Sequence, residues 1–429
     1  MTTEKLFYIK STLKCIAAVI VILLVISFIK AAKNNNSKPK TKNVTAKDIL
    51  GNPDYLAISY GGYRKNTRDI EPTIEEVKED LKILSALKIK VIRTYNVHLK
   101  EVTTVLKAIE SLKKEDKNFE IYVMLGAWID CKNAWTNLEP NHEIESDRNS
   151  VEIDQAVRLA NQYPQIIKII AVGNEAMVKW ATSYYVQPNV ILKWVNYLQN
   201  LKKINKLSKD LWITSSDDFA SWGGADESYK TKDLEALINA VDYVSMHTYP
   251  YHNTHYNPNF WKSPNEEDHF SVLEKVDAAI IRSLNFAKLQ YNTVKEYVKS
   301  INPNKPVHIG ETGWASNSDG YYGNDGSRAS DEYKQALFYK AIREWTNKEH
   351  ISCFFFEAFD EPWKDDKNPA GSENHFGLFT ASGKAKFALW INVDHKDFKS
   401  LKRNGNSISK TYDGNKQELL KSVQTPTTY

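Results

Sequence analysis

Eight short apolar runs, separated by stretches with helical periodicity, are the feature that most restricts the fold of this chain. Within each run the apolar residues follow one another instead of alternating with polar ones, which is typical of parallel strands buried on both faces. The runs are YLAISYGG (55–62), VIRTYN (91–96), EIYVMLGAW (120–128), IIKIIAVGNE (166–175), LWITSSDDF (211–219), VDYVSMHTYPY (241–251), PVHIGETGW (306–314) and ISCFFFEAF (351–359).

The stretches between the runs have the spacing of amphipathic helices. In residues 73–88, Ile74, Val77, Leu81 and Leu84 fall on one helical face. Eight strand–helix repeats with right-handed crossovers predict an α/β fold, a (β/α)8 TIM barrel, which we place at 48–395 with no second domain. An open doubly wound sheet is the alternative, but no Gly-rich phosphate-binding turn follows any of the runs.

The N-terminal region contains one apolar segment. Residues 15–29 are uncharged and mostly apolar, and lie between two lysines. This length falls between that of a membrane-spanning helix and that of a signal-peptide core. Because no convincing cleavage site follows, we interpret 1–32 as an uncleaved signal-anchor, a transmembrane segment, in preference to a cleaved signal peptide. Residues 33–47 are then a flexible tether, and we expect the rest of the chain on the extracytoplasmic side, in the periplasm or at the cell surface.

Charge is divided unevenly along the chain. Residues 1–47 carry a net charge of +8 and residues 396–429 carry +4, so that 48–395 has a net charge of −8. An acidic domain binds nucleic acid poorly, because that affinity depends on neutralising phosphates. We therefore expect no nucleic-acid partner.

Two further features are read from the sequence. We predict that 396–429 is a loose polar tail. Three Cys are too few for a disulfide framework.

Polar residues end most of the predicted strands, and in a TIM barrel the active site forms at these C-terminal ends. The fourth run ends in Glu175, and the seventh contains Glu311. Two carboxyl groups at one mouth are what cleavage of a glycosidic bond requires: one protonates the leaving oxygen, and the other attacks the anomeric carbon or activates water. A carboxylate–metal site is the alternative. The histidines lack the H-E-x-x-H spacing of a zinc helix, so we predict no metal.

Several motifs resemble those of glycoside hydrolase family 17, the β-1,3-glucanase and β-1,3-glucanosyltransferase family. VGNE, YPY, GETGW and FFFEAFDEPWK followed by HFGLF occur in the order of that family, and the resemblance covers about 54–389. It implies a retaining enzyme without a cofactor that acts on β-1,3-glucan, with Glu175 as general acid/base and Glu311 as nucleophile. Hydrolysis and transglycosylation both stay open, and a non-catalytic glucan-binding protein is a less favoured alternative.

The resemblance also implies roles in substrate binding for further residues. Asn174 would hydrogen-bond the 2-hydroxyl of the sugar, and Tyr249 would orient the nucleophile. Arg93, Tyr95 and Trp314 would line the floor of the groove, and the acids and lysine after the eighth run would form a charged network. The residues are Arg93, Tyr95, Asn174, Tyr249, Trp314, Glu357, Glu361, Lys364 and Glu373.

The chain also departs from the family pattern. Ala315 stands where proline is more frequent, and the stretches 176–189 and 252–270 look unlike the plant and fungal forms. Because these segments would shape the groove, linkage preference and endo or exo action stay open. We expect a bacterial, membrane-anchored member of the family that is a monomer.

Overall fold

The apolar runs form the strands of a closed barrel. The computed structural model describes residues 43–428. All eight barrel strands are parallel, and the first pairs with the eighth through Ala57 and Phe354, which closes the ring. In chain order the barrel strands are Leu56–Ser59, Ile89–Arg93, Tyr122–Ala127, Ile167–Asn174, Trp212–Asp218, Val244–His247, Val307–Gly313 and Cys353–Phe356. The predicted barrel is confirmed, with eight parallel strands and surrounding helices.

Continuous burial explains why these runs form strands. The fourth strand, Ile167–Asn174, is buried from its first to its seventh residue, and the seventh strand is buried throughout. Strands covered on both faces need apolar residues at successive positions, as the sequence has them. The strands and the helices outside them share one hydrophobic core.

The helices pack around the strands, and local signals set where several of them begin. At Thr73 the side chain accepts from the Glu76 N–H, and the Glu76 carboxylate accepts from the Thr73 N–H. Ser271 begins the longest described helix in the same way, and such reciprocal caps satisfy N–H groups that have no partner inside the helix. The helices are Ala46–Ile49, Ile74–Ala86, Lys100–Glu115, Arg148–Gln162, Pro188–Lys203, Lys232–Ala240, Pro250–Tyr256, Val272–Ile301, Glu332–Lys348, Trp390–Asp394 and Lys416–Lys421.

The segment from 396 is not a loose tail, so this prediction was wrong. It forms a hairpin of Lys402–Arg403 with Asn406–Ser407, followed by the helix Lys416–Lys421. Arg403 is fully buried, and its Nε donates to Asp80 Oδ1 at 2.8 Å. The segment is held to the barrel because the equally buried Asp80 carboxylate needs cationic partners. Its polar composition concealed this buried ion pair.

We expect Arg403→Met to lower the free energy of unfolding by about 3 kcal/mol, since it removes one cation from a buried carboxylate. Arg64, whose Nη2 lies 2.8 Å from Asp80 Oδ1, would remain as the second cation. Urea unfolding followed by circular dichroism measures the change. Lys402→Met is the matched control because Lys402 is the exposed neighbour. Equal stability of the two variants would contradict the structural role of Arg403.

The N-terminal predictions fall mostly outside the described part of the chain. The signal-anchor at 1–32 lies wholly outside it, and within 43–428 no helix has both the length and the apolar character needed to span a membrane. The end of the predicted tether is described. Thr45 caps the helix Ala46–Ile49, and the compact unit therefore begins at Thr45 rather than at residue 48.

Candidate active site

Two glutamates come together at the C-terminal end of the barrel. Glu311 lies within the seventh strand, and Glu175 directly follows the fourth. One carboxylate oxygen of each and one ring nitrogen of His247 all lie within 4.8 Å of one another. Both glutamates line a groove of about 700 Å³. The structure thus brings together the two residues that the sequence singled out.

The backbone turns sharply where the fourth strand delivers Glu175. Gly173 has a φ of +81° and Glu175 a φ of +46°, and the second value is costly for a residue with a side chain. The turn is held by two hydrogen bonds: the Glu175 N–H donates to the Ser216 carbonyl at 3.0 Å, and the Met177 N–H donates to Asp217 Oδ2 at 2.7 Å. Asp217 therefore helps to position Glu175, a role that sequence reasoning did not assign to it.

Glu311 receives hydrogen bonds on both carboxylate oxygens. The Tyr249 hydroxyl donates to Oε1 at 2.6 Å. Arg93 Nη1 donates to Oε2 at 2.6 Å and the Tyr95 hydroxyl donates to the same oxygen at 2.7 Å. Arg93 also donates from Nη2 to Asn174 Oδ1 at 2.5 Å, so it links the ends of the fourth and seventh strands. These donors hold the Glu311 carboxylate in one orientation and favour its anion.

The surroundings move the pKa values of the two glutamates in opposite directions. Burial, followed by the negative charge of Glu311, raises the pKa of Glu175 to about 8. Burial also acts to raise the pKa of Glu311. His247, the Arg93 guanidinium and the tyrosine hydroxyls together lower it by more, so this pKa lies below its ordinary value. At neutral pH one carboxyl group holds a proton and the other is ionised. A proton donor and a nucleophile need these two states.

His247 connects Glu175 to the barrel interior. Its Nδ1 lies 3.1 Å from Glu175 Oε1, and its Nε2 lies 2.8 Å from Ser216 Oγ. Burial lowers the pKa of His247 to about 4, so the ring is neutral near pH 7. In the tautomer with the proton on Nδ1, His247 donates to Glu175 Oε1 and leaves Oε2 to carry the acidic proton. Sequence reasoning considered the histidines as metal ligands and assigned His247 no part in the reaction, although its place at the end of the sixth strand was a usable signal.

The predicted charged network lies beside the pair. Lys364 Nζ lies 2.7 Å from Glu357 Oε2 and 3.2 Å from Glu361 Oε2. Burial acts to lower the pKa of Lys364, but Glu357 and Glu361 raise it, so this amine stays charged. Glu373 lines the groove and its charge also acts on Lys364. Lys364 thus pairs with Glu357 and Glu361. The sequence alone could not show which carboxylates this lysine contacts.

Two of the predicted floor residues take other positions. Trp314 is fully buried, its indole N–H donates to the Ala329 carbonyl at 2.8 Å, and its ring packs against Trp261 and Phe338. It belongs to the core and does not line the groove, because the apolar ring gains more from this packing than from the polar mouth. Arg93 is also buried and lies beneath Glu311. Tyr95 and Asn174 do line the groove.

Aromatic side chains form one wall of the groove. Trp135 is 57% exposed and stacks on Tyr184 with 5.0 Å between ring centroids, and Trp128 lies 5.3 Å from the same tyrosine. Flat aromatic surfaces beside hydrogen-bonding groups suit ring-shaped polar ligands. The sequence alone does not show which of its aromatic residues form this wall.

A family model supports the same chemistry over most of the chain. The model of the BtgE/BtgC glycoside hydrolase domain matches residues 57–377. The chain belongs to this family of glycoside hydrolases. Its motifs VGNE and GETGW, which contain Glu175 and Glu311, lie inside the matched range. The prediction of an enzyme of the O-glycosyl hydrolase class is confirmed.

Solved structures resemble this glycoside hydrolase to different degrees. An endo-laminarinase from Formosa Hel1_33_131 is 62% identical, with a TM-score of 0.89, and the match covers 90% of this chain and 98% of that chain. An active-site mutant of the Rhizomucor miehei β-1,3-glucanosyltransferase in complex with laminaritriose has a TM-score of 0.54 at 19% identity, over 78% of this chain and 96% of that one. The second match supports the fold alone.

Curated relatives of the glycoside hydrolase are more distant in sequence. The glucan 1,3-beta-glucosidase of Arthroderma benhamiae is 24% identical over 283 residues, which cover 64% of this chain and 73% of that protein. The putative glucan endo-1,3-beta-glucosidase btgC of Aspergillus niger is 24% identical over 324 residues, covering 73% of this chain and 40% of that protein. The chain thus spans less than half the length of this btgC relative.

Tyr249→Phe tests how the glycoside hydrolase keeps Glu311 ionised. The variant removes a hydrogen bond that lowers the pKa of Glu311, so the acidic limb of the pH–rate profile should move to higher pH. We expect kcat/KM at neutral pH to fall about 10-fold or more, the effect of losing a hydrogen bond to a charged group. Tyr55→Phe is the matched control, since Tyr55 donates to Glu120 at 3.1 Å outside the groove. An unmoved acidic limb in Tyr249→Phe would contradict this role.

Proposed function

We propose that this enzyme cleaves β-1,3-glucan within the chain by a retaining mechanism, through a covalent glycosyl-enzyme on Glu311. The observation that carries the proposal is the spacing of the two carboxyl groups. Oxygens of Glu175 and Glu311 lie within 4.8 Å of each other. Retaining glycosidases separate these groups by about 5–5.5 Å, whereas inverting ones need about 6.5–9.5 Å to admit a water.

In the first step Glu311 attacks the anomeric carbon while Glu175 protonates the glycosidic oxygen. A bond forms between a Glu311 oxygen and the anomeric carbon, and the bond to the leaving oxygen breaks. The proton passes from Glu175 to that oxygen, so the leaving sugar departs as a neutral alcohol. The raised pKa of Glu175 means that the proton is present near neutral pH.

In the second step water releases the sugar, and Glu175 acts as the base. Once Glu311 is esterified, its negative charge no longer raises the pKa of Glu175, so the ionised form of Glu175 becomes easier to keep. Glu175 takes a proton from the water, the water oxygen forms a bond to the anomeric carbon, and the bond between that carbon and the Glu311 oxygen breaks. Two inversions give net retention, and both glutamates return to their starting states.

The substrate class is proposed from the named relatives. The 62% identical structure is an endo-laminarinase, and the curated relatives are named for glucan 1,3-beta-glucosidase and endo-1,3-beta-glucosidase activity. Trp128 and Trp135, which line the groove, would stack against glucosyl rings. Asn174, in the groove beside Glu175, would hydrogen-bond the 2-hydroxyl of the reacting sugar.

A metal-dependent reaction would use the same side chains in another way. Among residues 43–428, Glu175, His247 and Glu311 have the residue types and the spacing of a metal site. Arg93, however, already places a positive charge 2.6 Å from Glu311, and a second cation there would be repelled. We therefore expect activity to persist in EDTA, and loss of activity that added zinc or magnesium restores would support the metal alternative.

Product analysis tests the proposal. The enzyme is incubated with laminarihexaose, products are resolved by length, and proton NMR follows the anomer that forms first. We expect shorter products only, released as the β anomer. Products longer than the donor would make the enzyme a transglycosylase with the same two-step chemistry. Release of the α anomer would contradict the retaining mechanism. If the enzyme cleaves no β-1,3-glucan, the proposed substrate class is wrong.

We also propose that the N-terminal segment holds the catalytic domain at a membrane, outside the cytoplasm. The support is the apolar run at 15–29 and the lysine-rich residues beside it. A polymeric glucan substrate is consistent with this placement. Cell fractionation with protease added to intact cells tests it: the full chain should sediment with membranes, and its domain should be accessible to the protease. A soluble, protected protein would contradict the proposal.

A further inference from the structure

A second cavity lies outside the groove, beside the part of the chain that follows the eighth strand. It has a volume of about 590 Å³ and shares no lining residue with the groove. Residues that follow the seventh and eighth strands form part of its wall, together with the start of the helix Glu332–Lys348 and the C-terminal segment. The residues that matter for its chemistry are Glu332, Asp360, His375, Lys386 and Tyr412. We call this space the second cavity.

Lys386 lines the second cavity but has no proton left for a ligand. It is 1% exposed, and its ammonium group donates to Ser316 Oγ at 2.7 Å, to Asp360 Oδ1 at 2.6 Å and to the His375 carbonyl at 3.1 Å. An ammonium group has three N–H donors, so all of them are used. An anion in the cavity would meet carboxylates and no free ammonium proton. The second cavity therefore disfavours anionic ligands.

Three acceptors of the second cavity have no hydrogen-bond partner among residues 43–428. Glu332 accepts two hydrogen bonds on Oε2, at 3.0 and 2.6 Å, and none on Oε1. Asp360 accepts on Oδ1, while its Oδ2 lies 3.8 Å from His375 Nδ1. His375 donates from Nε2 to the Pro369 carbonyl at 2.8 Å, so its Nδ1 is an acceptor in the neutral ring. The groups left for a ligand therefore all call for a donor.

The two carboxylates are largely buried, yet a ligand can reach them. Glu332 is 9% exposed and Asp360 is 6% exposed, and the free oxygen of each keeps contact with solvent. Burial raises the pKa of Glu332, although Lys386 and two hydrogen bonds act to lower it. A carboxylate that has lost much of its water gains free energy from a cation that also donates hydrogen bonds. The second cavity thus fits a positively charged donor.

The positions of the acceptors favour an organic cation over a metal ion. Among residues 43–428, Glu332, Asp360 and His375 do not form a group whose ligand atoms all lie within 4.8 Å of one another. Asp360 Oδ2 and His375 Nδ1 are 3.8 Å apart, so Glu332 Oε1 lies more than 4.8 Å from at least one of them. Such spacing is wide for the ligands of one small metal ion. A planar guanidinium has five N–H donors that point in different directions, so it reaches acceptors that are farther apart.

Tyr412 gives the second cavity an aromatic surface. It lines the cavity and is 37% exposed. A guanidinium group stacks on aromatic faces while its edge donates hydrogen bonds. A neutral sugar could also stack on a tyrosine, but it would leave the charges of Glu332 and Asp360 without compensation. The ring and the carboxylates together therefore select a flat cation.

We propose that the second cavity binds a guanidinium group, which donates to Glu332 Oε1, Asp360 Oδ2 and His375 Nδ1 and stacks on Tyr412. A free alkylguanidine and the arginine side chain of a polypeptide share this chemistry. The proposal does not rest on the proposed function, because the second cavity and the groove have no residue in common.

Calorimetric titration of the full chain with n-butylguanidinium and n-butylurea tests the site. The two molecules have nearly the same shape, but the urea has no charge and carries an acceptor in place of one donor group. We expect saturable binding of butylguanidinium and binding of butylurea that is weaker by about 10-fold or more, the effect of hydrogen bonds between charged groups. Equal binding of the two molecules, or binding of neither, would overturn the proposal. Displacement of butylguanidinium by zinc or magnesium chloride would assign the site to a metal ion and overturn it as well.

Glu332→Gln tests whether binding occurs in the second cavity. Glutamine keeps an oxygen that can accept hydrogen bonds and removes the charge, so the affinity for butylguanidinium should fall about 10-fold or more. Glu344→Gln is the matched control, since Glu344 is an exposed acid on the same helix, and it should bind as wild type does. If Glu332→Gln binds butylguanidinium as tightly as wild type, the ligand lies elsewhere and the proposal is wrong.

Tyr412→Asn decides the question if circular dichroism shows that Glu332→Gln does not fold. Tyr412 has a φ of +49°, and asparagine adopts this conformation more readily than most residues. Loss of the ring should weaken butylguanidinium binding about twofold to fivefold, the range of an exposed cation–π contact. Unchanged affinity in Tyr412→Asn would contradict the proposed site.

An arginine tripeptide, acetyl-Gly-Arg-Gly-amide, separates the two sources of the guanidinium group. Tighter binding of the tripeptide than of butylguanidinium would support an arginine side chain of a polypeptide as the ligand, and weaker binding would support a free guanidine. Cleavage of laminarihexaose is measured on the same preparation. A chain that cleaves the hexaose but binds no butylguanidinium overturns this proposal alone, and a chain that binds but does not cleave overturns only the proposed function.

Discussion

Glu311→Ala is expected to lower kcat/KM on laminarihexaose by about 10⁴-fold or more, because it removes the atom that forms the new bond to the anomeric carbon. The loss should exceed that from Arg93, Tyr95 or Tyr249, since these residues donate hydrogen bonds to Glu311 and do not form the new bond themselves. Steady-state kinetics measure it, and Glu110→Ala is a control outside the groove. A residual rate above about 1% of wild type would contradict the role of Glu311.

Azide identifies the face of the sugar from which Glu311 acts. In Glu311→Ala the small anion can occupy the space of the missing carboxylate and attack the anomeric carbon of an aryl laminaribioside. The product should be the α-glycosyl azide, with activity partly restored. In Glu175→Ala the nucleophile is intact, so azide should attack the glycosyl-enzyme and give the β-glycosyl azide. If Glu311→Ala gave the β-glycosyl azide and Glu175→Ala the α-glycosyl azide, the roles of the two glutamates would be reversed.

Glu175→Gln is expected to lower kcat/KM on laminarihexaose by about 10²–10⁴-fold, the usual contribution of general acid catalysis. A 2,4-dinitrophenyl laminaribioside should keep most of its kcat/KM, because its leaving group departs without a proton. The difference between the two substrates measures the acid role directly. Equal losses on both substrates would instead indicate that Glu175 positions the sugar.

The pH profile should change with the same variant. Wild type needs Glu175 protonated, so activity should fall as the pH rises through about 8. It also needs Glu311 ionised, and since the pKa of Glu311 is lowered, the acidic limb should lie below the ordinary carboxyl range of about 4.3. In Glu175→Gln the alkaline limb should disappear and the acidic limb should remain. An alkaline limb near pH 8 that persists in Glu175→Gln would assign it to another group.

The barrel and its two glutamates could be predicted from the sequence for a physical reason. Strands covered on both faces must be apolar at successive positions, and a carboxyl group that ends such a run stands out against it. Glu175 and Glu311 are both of this kind. A closed ring then places the ends of all eight strands at one mouth, so separate strands deliver side chains to the same groove.

Burial of polar and aromatic side chains was much less predictable. Trp314 follows Glu311 by three residues and looked like a groove residue, but its ring packs with Trp261 and Phe338. Glu101 lies in the first turn of a helix, where an acid is favourable, yet its side chain is buried. Arg403 lay in a polar tail. In each case residue type and position gave no indication of which neighbours would cover the side chain.

The sequence by itself determined the fold, the family resemblance and the two candidate catalytic carboxyl groups. It did so because these depend on residue type and on order along the chain. Only the tertiary structure decided that Arg93 and Tyr249 hold Glu311 ionised while burial keeps Glu175 protonated. The protonation states of the two glutamates depend on distances between residues far apart in the chain and on how much water reaches the carboxyl groups. Closure of the barrel sets the distances, and side-chain packing sets the access of water.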